Sequence, residues 1–400
     1  MPSERETAMS MEGRMKQAPL PFNVRTSLRE RARRYSEVRK LMDDRSLDLL
    51  LISGNGQLSQ RGHLRYMTDW SQWLFEEYAL FPRVGEIIYF SRYALRAKLV
   101  KSYCRIDDVR FPNYGQHGLG NIPAQQLSEI IKSFGVSKIG VAGFETMSAD
   151  FYRGLLENLS GYELESASDI LQQVRSVKSR EERRWVRRSA ELCDHGFGIF
   201  SKVLRPNRRE FESLIDVDAE MKRLGAEDVF FMIGSGNYPV IRFYNMASRT
   251  YRKGDLVIFN IELAGPGGYF TQLVRTLSLG KPDRKIKFAY EVCLESMNEA
   301  AEALKPGAVA CDVFRVLKET IESKSWKMDM NTGHSQGLDI FEPPLISAFD
   351  QTELKPGMVI VLHPRVFISP KANVWVGNTY LITEKGAVCL NKADDKLAVI

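Results

Sequence analysis

The alternation of apolar and polar positions changes period several times along the chain, and each change marks an element. From Arg29 to Asp43 the apolar residues return at helical spacing, with Tyr35, Val38, Leu41 and Met42 on one face, which predicts a helix. Leu49–Ile52 is a short continuous apolar run closed by Ser53-Gly-Asn-Gly and reads as a buried strand with its turn. Ala79–Arg92 reads as a hairpin around Arg83-Val-Gly-Glu. A helix around Gln125–Phe134 precedes a further buried strand, Lys138–Ala142. Strands alternating with helices over 30–172 predict a first α/β domain.

The pattern shifts after Val174. A long helix is predicted from Ser179 to Leu204, stopping before Pro206. A second runs from Asp283 to Leu304, with Ile286, Ala289, Cys293, Met297 and Ala300 on one stripe, and ends at Lys305-Pro-Gly. Strands are expected at Leu256–Leu263 and Gly357–Phe367, and a hairpin at Thr379–Asn391. The expected organisation is a tail over 1–27, an α/β domain over 28–174 and a larger α/β (α+β) domain over 175–400.

Composition narrows the class. The 400 residues are 44% hydrophobic, 26% charged and 10% aromatic, which excludes disordered, collagenous and coiled-coil chains. No apolar run approaches the ~20 residues that span a bilayer, so no membrane partner is expected. Met1-Pro-Ser-Glu-Arg-Glu-Thr has no apolar stretch of the secretory kind. The five cysteines (Cys104, Cys193, Cys293, Cys311, Cys389) form no CxxC pair, so a reducing cytoplasm is expected. The net charge is +6, but Arg25–Asp44 mixes seven bases with four acids. That is a solvated helix face, and no nucleic-acid partner is expected.

Four segments of the second domain carry the chemistry. They are Arg252-Lys-Gly-Asp-Leu-Val-Ile-Phe-Asn-Ile, Gly268-Tyr-Phe-Thr-Gln-Leu-Val-Arg-Thr, Gly333-His-Ser-Gln-Gly-Leu-Asp-Ile-Phe-Glu-Pro-Pro and Leu354-Lys-Pro-Gly-Met-Val-Ile-Val-Leu-His-Pro. In this order they resemble the pita-bread fold of the creatinase, prolidase and methionine aminopeptidase superfamily. The resemblance implies a small creatinase-type N-terminal domain, a C-terminal pita-bread domain and a homodimer whose pocket both subunits share. Peptidases of the superfamily hold two metal ions with two Asp, one His and two Glu. Here those positions read Asn260, Gln272, His334, His363 and Gly377 or Asn378. The metal-free creatinase branch is the nearer match in style, since it too has Asn at the first position. Its acid/base His, however, has no counterpart in Ser235–Tyr244, where Arg242 or Phe243 falls.

From these residues the expectation is an enzyme that needs no metal or other cofactor and cleaves a C–N bond of a small polar molecule, by hydrolysis or elimination. His334 and His363 would move protons, because an unperturbed imidazole titrates near ~6.5. Glu342 would orient His334 or hold a substrate cation. Asn260 and Gln272 can both donate and accept hydrogen bonds. Glu262 lies two residues past Asn260 on the same strand face. Arg242 and Tyr244 would line the substrate loop, and Trp73, Phe75 and Glu77 would line the pocket of the partner subunit. The alternatives are a metal-dependent Xaa-Pro-type peptidase of the same superfamily and a pita-bread module that binds without catalysis.

Overall fold

The computed structural model describes residues 24–72, 74–91, 94–111, 124–237, 239, 241–369 and 372–400. Among these, Arg25–Arg175 form one compact unit, and Ser176–Ile400 with Val24 form another. The expected tail lies almost wholly outside the described residues.

The first unit is built on six strands: β1 (Leu49–Gly54), β2 (Glu77–Pro82), β3 (Ile88–Phe90), β4 (Asp108–Arg110), β5 (Lys138–Ala142) and β6 (Glu163–Ser166). They lie in the order β4-β3-β2-β1-β5-β6. β2 and β3 form the expected antiparallel hairpin, and β1 runs parallel to β5. The helix Leu28–Asp44 starts where the Ser27 hydroxyl accepts the amide of Glu30, a cap that satisfies one orphan donor. β1 is buried along its whole length, as its unbroken apolar run requires.

The second unit contributes β7 (Asp228–Gly236), β8 (Arg242–Phe243), β9 (Leu256–Ala264), β10 (Phe270–Ser278), β11 (Lys327–Met328), β12 (Gly333–Ser335) and β13 (Glu342–Leu345). It continues with β14 (Val359–Leu362), β15 (Arg365–Ser369), β16 (Ala372–Trp375), β17 (Asn378–Thr383), β18 (Gly386–Cys389) and β19 (Ala398–Val399). Two five-stranded sheets result, β19-β10-β9-β7-β8 and β13-β12-β14-β17-β18, with a small sheet β11-β15-β16. The helix Arg180–Val203 opens with a capping box between Ser179 and Glu182, and the helix Arg284–Ala303 opens on Asp283.

Period-2 alternation divides each sheet into two faces. Ile233, Phe259, Ile261 and Leu273 of the first sheet pack with Leu192, Phe200 and Val217 from the helices Arg180–Val203 and Glu210–Arg223. Ile360, Leu362 and Tyr380 of the second pack with Met297 and Leu317 from the helices Arg284–Ala303 and Ala310–Ser323. The alternate residues point away from the helices. Among them Ile258, Val274 and Trp375 form a small cluster of their own.

One strand expectation is corrected. Gly357–Phe367 is not a single strand. β14 ends at Leu362 and β15 begins in another sheet at Arg365, because Pro364 has no N–H to carry the ladder onward. Among the described residues no helix is long and apolar enough to cross a membrane.

Candidate functional site

The site lies on the inner faces of the two five-stranded sheets. On β9, Asn260 and Glu262 point the same way, two residues apart. Gln272 of β10 is the direct partner of Glu262, and Val274 is that of Asn260. Directly opposed residues of an antiparallel pair share a face, so Gln272 joins them. Across β7 the same rows run to Phe230, opposite Glu262, and to Met232, opposite Asn260. Met232 is in turn opposite Phe243 of β8. Phe243 therefore belongs to the inner face. It is 53% exposed, and its ring centroid lies 5.8 Å from that of Phe230.

Arg242 is opposite Ile233 and so points to the helix side, where its guanidinium stands 3.7 Å from buried Glu210. Of the two residues that the sequence left interchangeable, the register puts Phe243 on the site face. Tyr244 follows as the first residue of a short 3-10 turn and is partly exposed.

The second sheet brings the two histidines together. His334 of β12 is opposite Val361, and His363 lies two residues beyond Val361. Their ring centroids are 5.2 Å apart, edge to face. The rings continue outward to Phe341, 4.3 Å from His334, and inward to Trp375, 5.8 Å from His363. Trp375 Nε1 donates to the His363 carbonyl at 2.8 Å. His334 Nδ1 lies 3.0 Å from the Ser335 carbonyl. A carbonyl only accepts, so Nδ1 carries the proton and Nε2 keeps its lone pair. Burial lowers the His334 pKa to about 4, partly offset by the Ser335 bond and the Glu342 charge. Burial also pushes His363 well down, with the neighbouring His334 adding to the effect. Both imidazoles are neutral at pH 7.

A directed amide network faces them. Gln272 Nε2 donates to Asn260 Oδ1 at 2.7 Å, and Asn260 Nδ2 donates to Glu262 at 3.3 Å. Gln336, two residues past His334, donates to the other Glu262 oxygen at 2.8 Å and to the Ile340 carbonyl at 3.0 Å. Burial raises the Glu262 pKa to about 7 against these two donated bonds. Three buried atoms of the cluster have no hydrogen-bond partner among the described residues: Gln272 Oε1, Gln336 Oε1 and His363 Nδ1.

Glu342 is held elsewhere. Its carboxylate pairs with Lys178 Nζ at 3.1 Å and accepts the Asp339 amide at 3.2 Å. Lys178 is only 1% exposed and also reaches the Ser335 hydroxyl at 3.4 Å. The Glu342 charge acts on His334 through its field, raising the His334 pKa against the effect of burial. Arg275 is a strap: it donates to the carbonyls of Val274, Gly377, Ala393 and Asp394 and to Asn378 Oδ1.

In the N-terminal unit Glu77 is enclosed. It accepts from Trp70 Nε1 at 3.2 Å and Tyr89 OH at 2.6 Å, with Arg96 at 4.0 Å. Phe75 is partly exposed, and Trp73 lies outside the described residues.

Sequence reasoning missed Lys178 and Gln336. Alternation from His334 points to Gln336. Lys178 lies 164 residues from Glu342, and no local pattern signals that pairing.

The metal pair implied by the resemblance can be tested against these donors. Gly377 is bridged to Val274 and sits beside His363, and a Cβ on Gly377 would meet His363 Cβ at 2.8 Å. No longer side chain fits there, and Asn378 is turned to Arg275. Asn260, Gln272 and two neutral imidazoles supply no negative charge. Glu262, the carboxylate bonded to this network among the described residues, already accepts two bonds. These residues do not fit a pair of divalent cations, whose charge a buried site must balance. Among the described residues no three His, Cys, Asp or Glu side chains gather as a metal-holding group.

Residues 184–384 match the model of metallopeptidase family M24, and residues 34–177 match the creatinase/prolidase N-terminal domain. An Xaa-Pro dipeptidase of Pyrococcus furiosus is 30% identical over 307 residues, covering 76% of this chain and 84% of the relative. An Xaa-Pro dipeptidase of Pyrococcus horikoshii is 27% identical over 285 residues, 69% and 80% of the two chains. The solved prolidase of Pyrococcus horikoshii OT3 superposes with a TM-score of 0.78 at 24% identity, covering 91% of this chain and 99% of that one. The Xaa-Pro dipeptidase of Bacillus anthracis gives 0.79 at 20%, covering 92% and 100%.

The expected fold stands: a creatinase-type N-terminal domain and a C-terminal pita-bread domain. The expected affinity to the metal-free creatinase branch does not. The relatives are Xaa-Pro dipeptidases, and this overturns the reading as a metal-independent, creatinase-like enzyme. One shared amide, Asn260, says less about kinship than 30% identity over 307 residues. The chain belongs to metallopeptidase family M24.

Proposed function

We propose that this chain is a hydrolase of the Xaa-Pro dipeptidase kind, acting on the C–N bond of a short peptide. The observation that carries the reading is the 30% identity to a named Xaa-Pro dipeptidase across 84% of that relative. The inner-face residues suit a peptide ligand. Asn260, Gln272 and Gln336 offer amide groups, and the exposed Phe243 and Phe341 offer apolar walls. His334 and His363 would meet the peptide unit as neutral hydrogen-bonding rings, and the Lys178–Glu342 pair would hold the His334 loop in place. The homodimer belongs to the proposal as well, with Leu74 (56% exposed) and Phe75 on the segment that would face the second copy. The five free cysteines suit a reducing cytoplasm.

The donor set favours one second reading, peptide binding without turnover. A single assay separates the two. Alanyl-proline is incubated with the chain, its dimeric state fixed beforehand by light scattering, after chelation and after Mn²⁺ loading. Proline release that His334→Ala abolishes supports the hydrolase. Calorimetric binding with no release in either state supports the binding module. Absence of both binding and release sinks the two together.

A further inference from the structure

The edge strand β8 is only two residues long and pairs with β7 at Met232–Phe243 and Ile233–Arg242. Two residue pairs do not hold a strand by themselves. What fixes this one lies on the helix side of the sheet. The first turn of the helix Glu210–Arg223 grips the segment 242–249 at three points. The Glu210 amide donates to the Arg249 carbonyl at 2.9 Å, and the Phe211 amide donates to the Ala247 carbonyl at 3.0 Å. Two of the amides that a helix start leaves without partners are thus taken up by this loop. The third point is a side chain, the Arg242 guanidinium, 3.7 Å from Glu210 Oε1.

Glu210 is itself held firmly. It is fully buried, and Oε1 accepts the Ser235 hydroxyl at 2.6 Å. That hydroxyl accepts in turn from Arg249 Nη1 at 2.8 Å, and Arg249 Nη2 reaches Asp255 at 2.9 Å. The donors therefore run one way, from Arg249 to Ser235 to Glu210. Asp255 balances Arg249, which leaves Arg242 as the cation in ion-pair reach of Glu210 among the described residues. A carboxylate buried this deeply needs one. At 3.7 Å the pair is not hydrogen-bonded, and Glu210 Oε2 and Arg242 Nη1 have no hydrogen-bond partner among the described residues. Closing the gap by about 1 Å would make a charge-assisted bond. Between the grips the side chains of Phe243, Tyr244 and Met246 stand out, each more than a third exposed. Arg242 and Phe243 are neighbours on a strand, so a hold on one from behind sets the place of the other in front.

We infer that Glu210 is a positioning residue: through Arg242 it fixes β8 from the helix side of the sheet and so sets where Phe243 stands on the opposite face. Its effect on turnover rests on the dipeptidase reading, whereas its hold on the loop does not.

Kinetics and amide hydrogen exchange of the full chain test this role. In the metal condition that gives proline release from alanyl-proline, Glu210→Gln is expected to raise KM about threefold to tenfold and to leave kcat within about twofold. Arg242→Met, on the partly exposed partner, should do the same, and Arg242→Lys, which keeps the charge, should stay close to the parent. Phe243→Ala should raise KM as well, and Glu210→Gln added to it should change nothing further, because both act through one side chain. A fall in kcat at constant KM, or additive effects of Glu210→Gln and Phe243→Ala, would overturn the assignment and leave the dipeptidase reading intact. If no peptide is turned over, the dipeptidase reading fails, and exchange decides alone. Faster exchange over 242–247 in Glu210→Gln and Arg242→Met but not in Arg242→Lys, with the rest of the second unit unchanged, upholds the role of Glu210. Unchanged exchange over 242–247, or a uniform rise across the unit, overturns it.

Discussion

Glu77 of the N-terminal unit and Glu262 of the C-terminal unit are both buried carboxylates on strands, and their surroundings could hardly differ more. Glu77 takes a phenol and an indole as donors and has a guanidinium at 4.0 Å. Its charge is compensated inside the fold. Glu262 takes two amides, and burial holds its pKa up at about 7. The residues around it keep unpartnered oxygens. A carboxylate whose needs are met by its own fold is architecture. One whose donors are all neutral holds its proton to higher pH. Both acids were picked from sequence as pocket residues, and only their surroundings tell them apart.

The sharpest way to break the comparison is through a third acid. Glu342→Ala would strand Lys178, which is 1% exposed, and should cost ~3–5 kcal/mol in urea unfolding. A loss below about 1 kcal/mol would show that water or another acceptor replaces Glu342, and the anchor role would be withdrawn.

The next effect is smaller and sets the two glutamates against each other. Glu77→Ala leaves the Trp70 and Tyr89 donors bare and should cost ~2 kcal/mol. Glu262→Gln keeps the side-chain shape and removes an uncompensated charge. At pH 8 its stability should match or exceed that of the parent. Equal losses from the two substitutions would erase the distinction.

The smallest effect is in pH dependence. The His334 pKa lies at about 4 in the fold and that of His363 is also depressed. The unfolded chain therefore takes up these protons first, and stability falls as pH drops from ~6.5 through the folded values. Glu262 acts in the opposite sense. Its folded pKa of about 7 lies above the ordinary 4.5, so the folded chain binds the proton first and stability falls as pH rises between them. Two imidazoles outweigh one carboxyl, so unfolding free energy should decline from pH 6.5 to 4.5. Glu262→Gln should steepen that decline by about 1 kcal/mol per pH unit. An unchanged slope would mean that Glu262 is ionised throughout.

Elements whose signals are local were legible from the sequence. The two long helices carry their own caps at Ser179 and Asp283, and the buried strands carry unbroken apolar runs. The inner-face positions Asn260, Gln272, His334 and His363 were legible because their segments resemble a known family. What stayed hidden depends on partners far along the chain. The Lys178–Glu342 pair, the Gln336–Glu262 bond and the strand break at Pro364 are set by which sheet a segment joins. Arg242 and Phe243 are interchangeable by sequence, and only pairing with Ile233 and Met232 turns Arg242 to the helix side and Phe243 to the site face.

The one-way amide network also says something about routes through sequence space. An acid restored at 260 would put a carboxylate where Asn260 now donates to Glu262, and like charges that close oppose each other. An acid at 272 would remove the donor that orients Asn260. At 377 there is no volume for any side chain while His363 stays. Each single reversion toward the acidic arrangement is uphill until the others are present. The amide and acidic centres are two separate solutions on one scaffold, and an engineer wanting the second must replace the block as a whole.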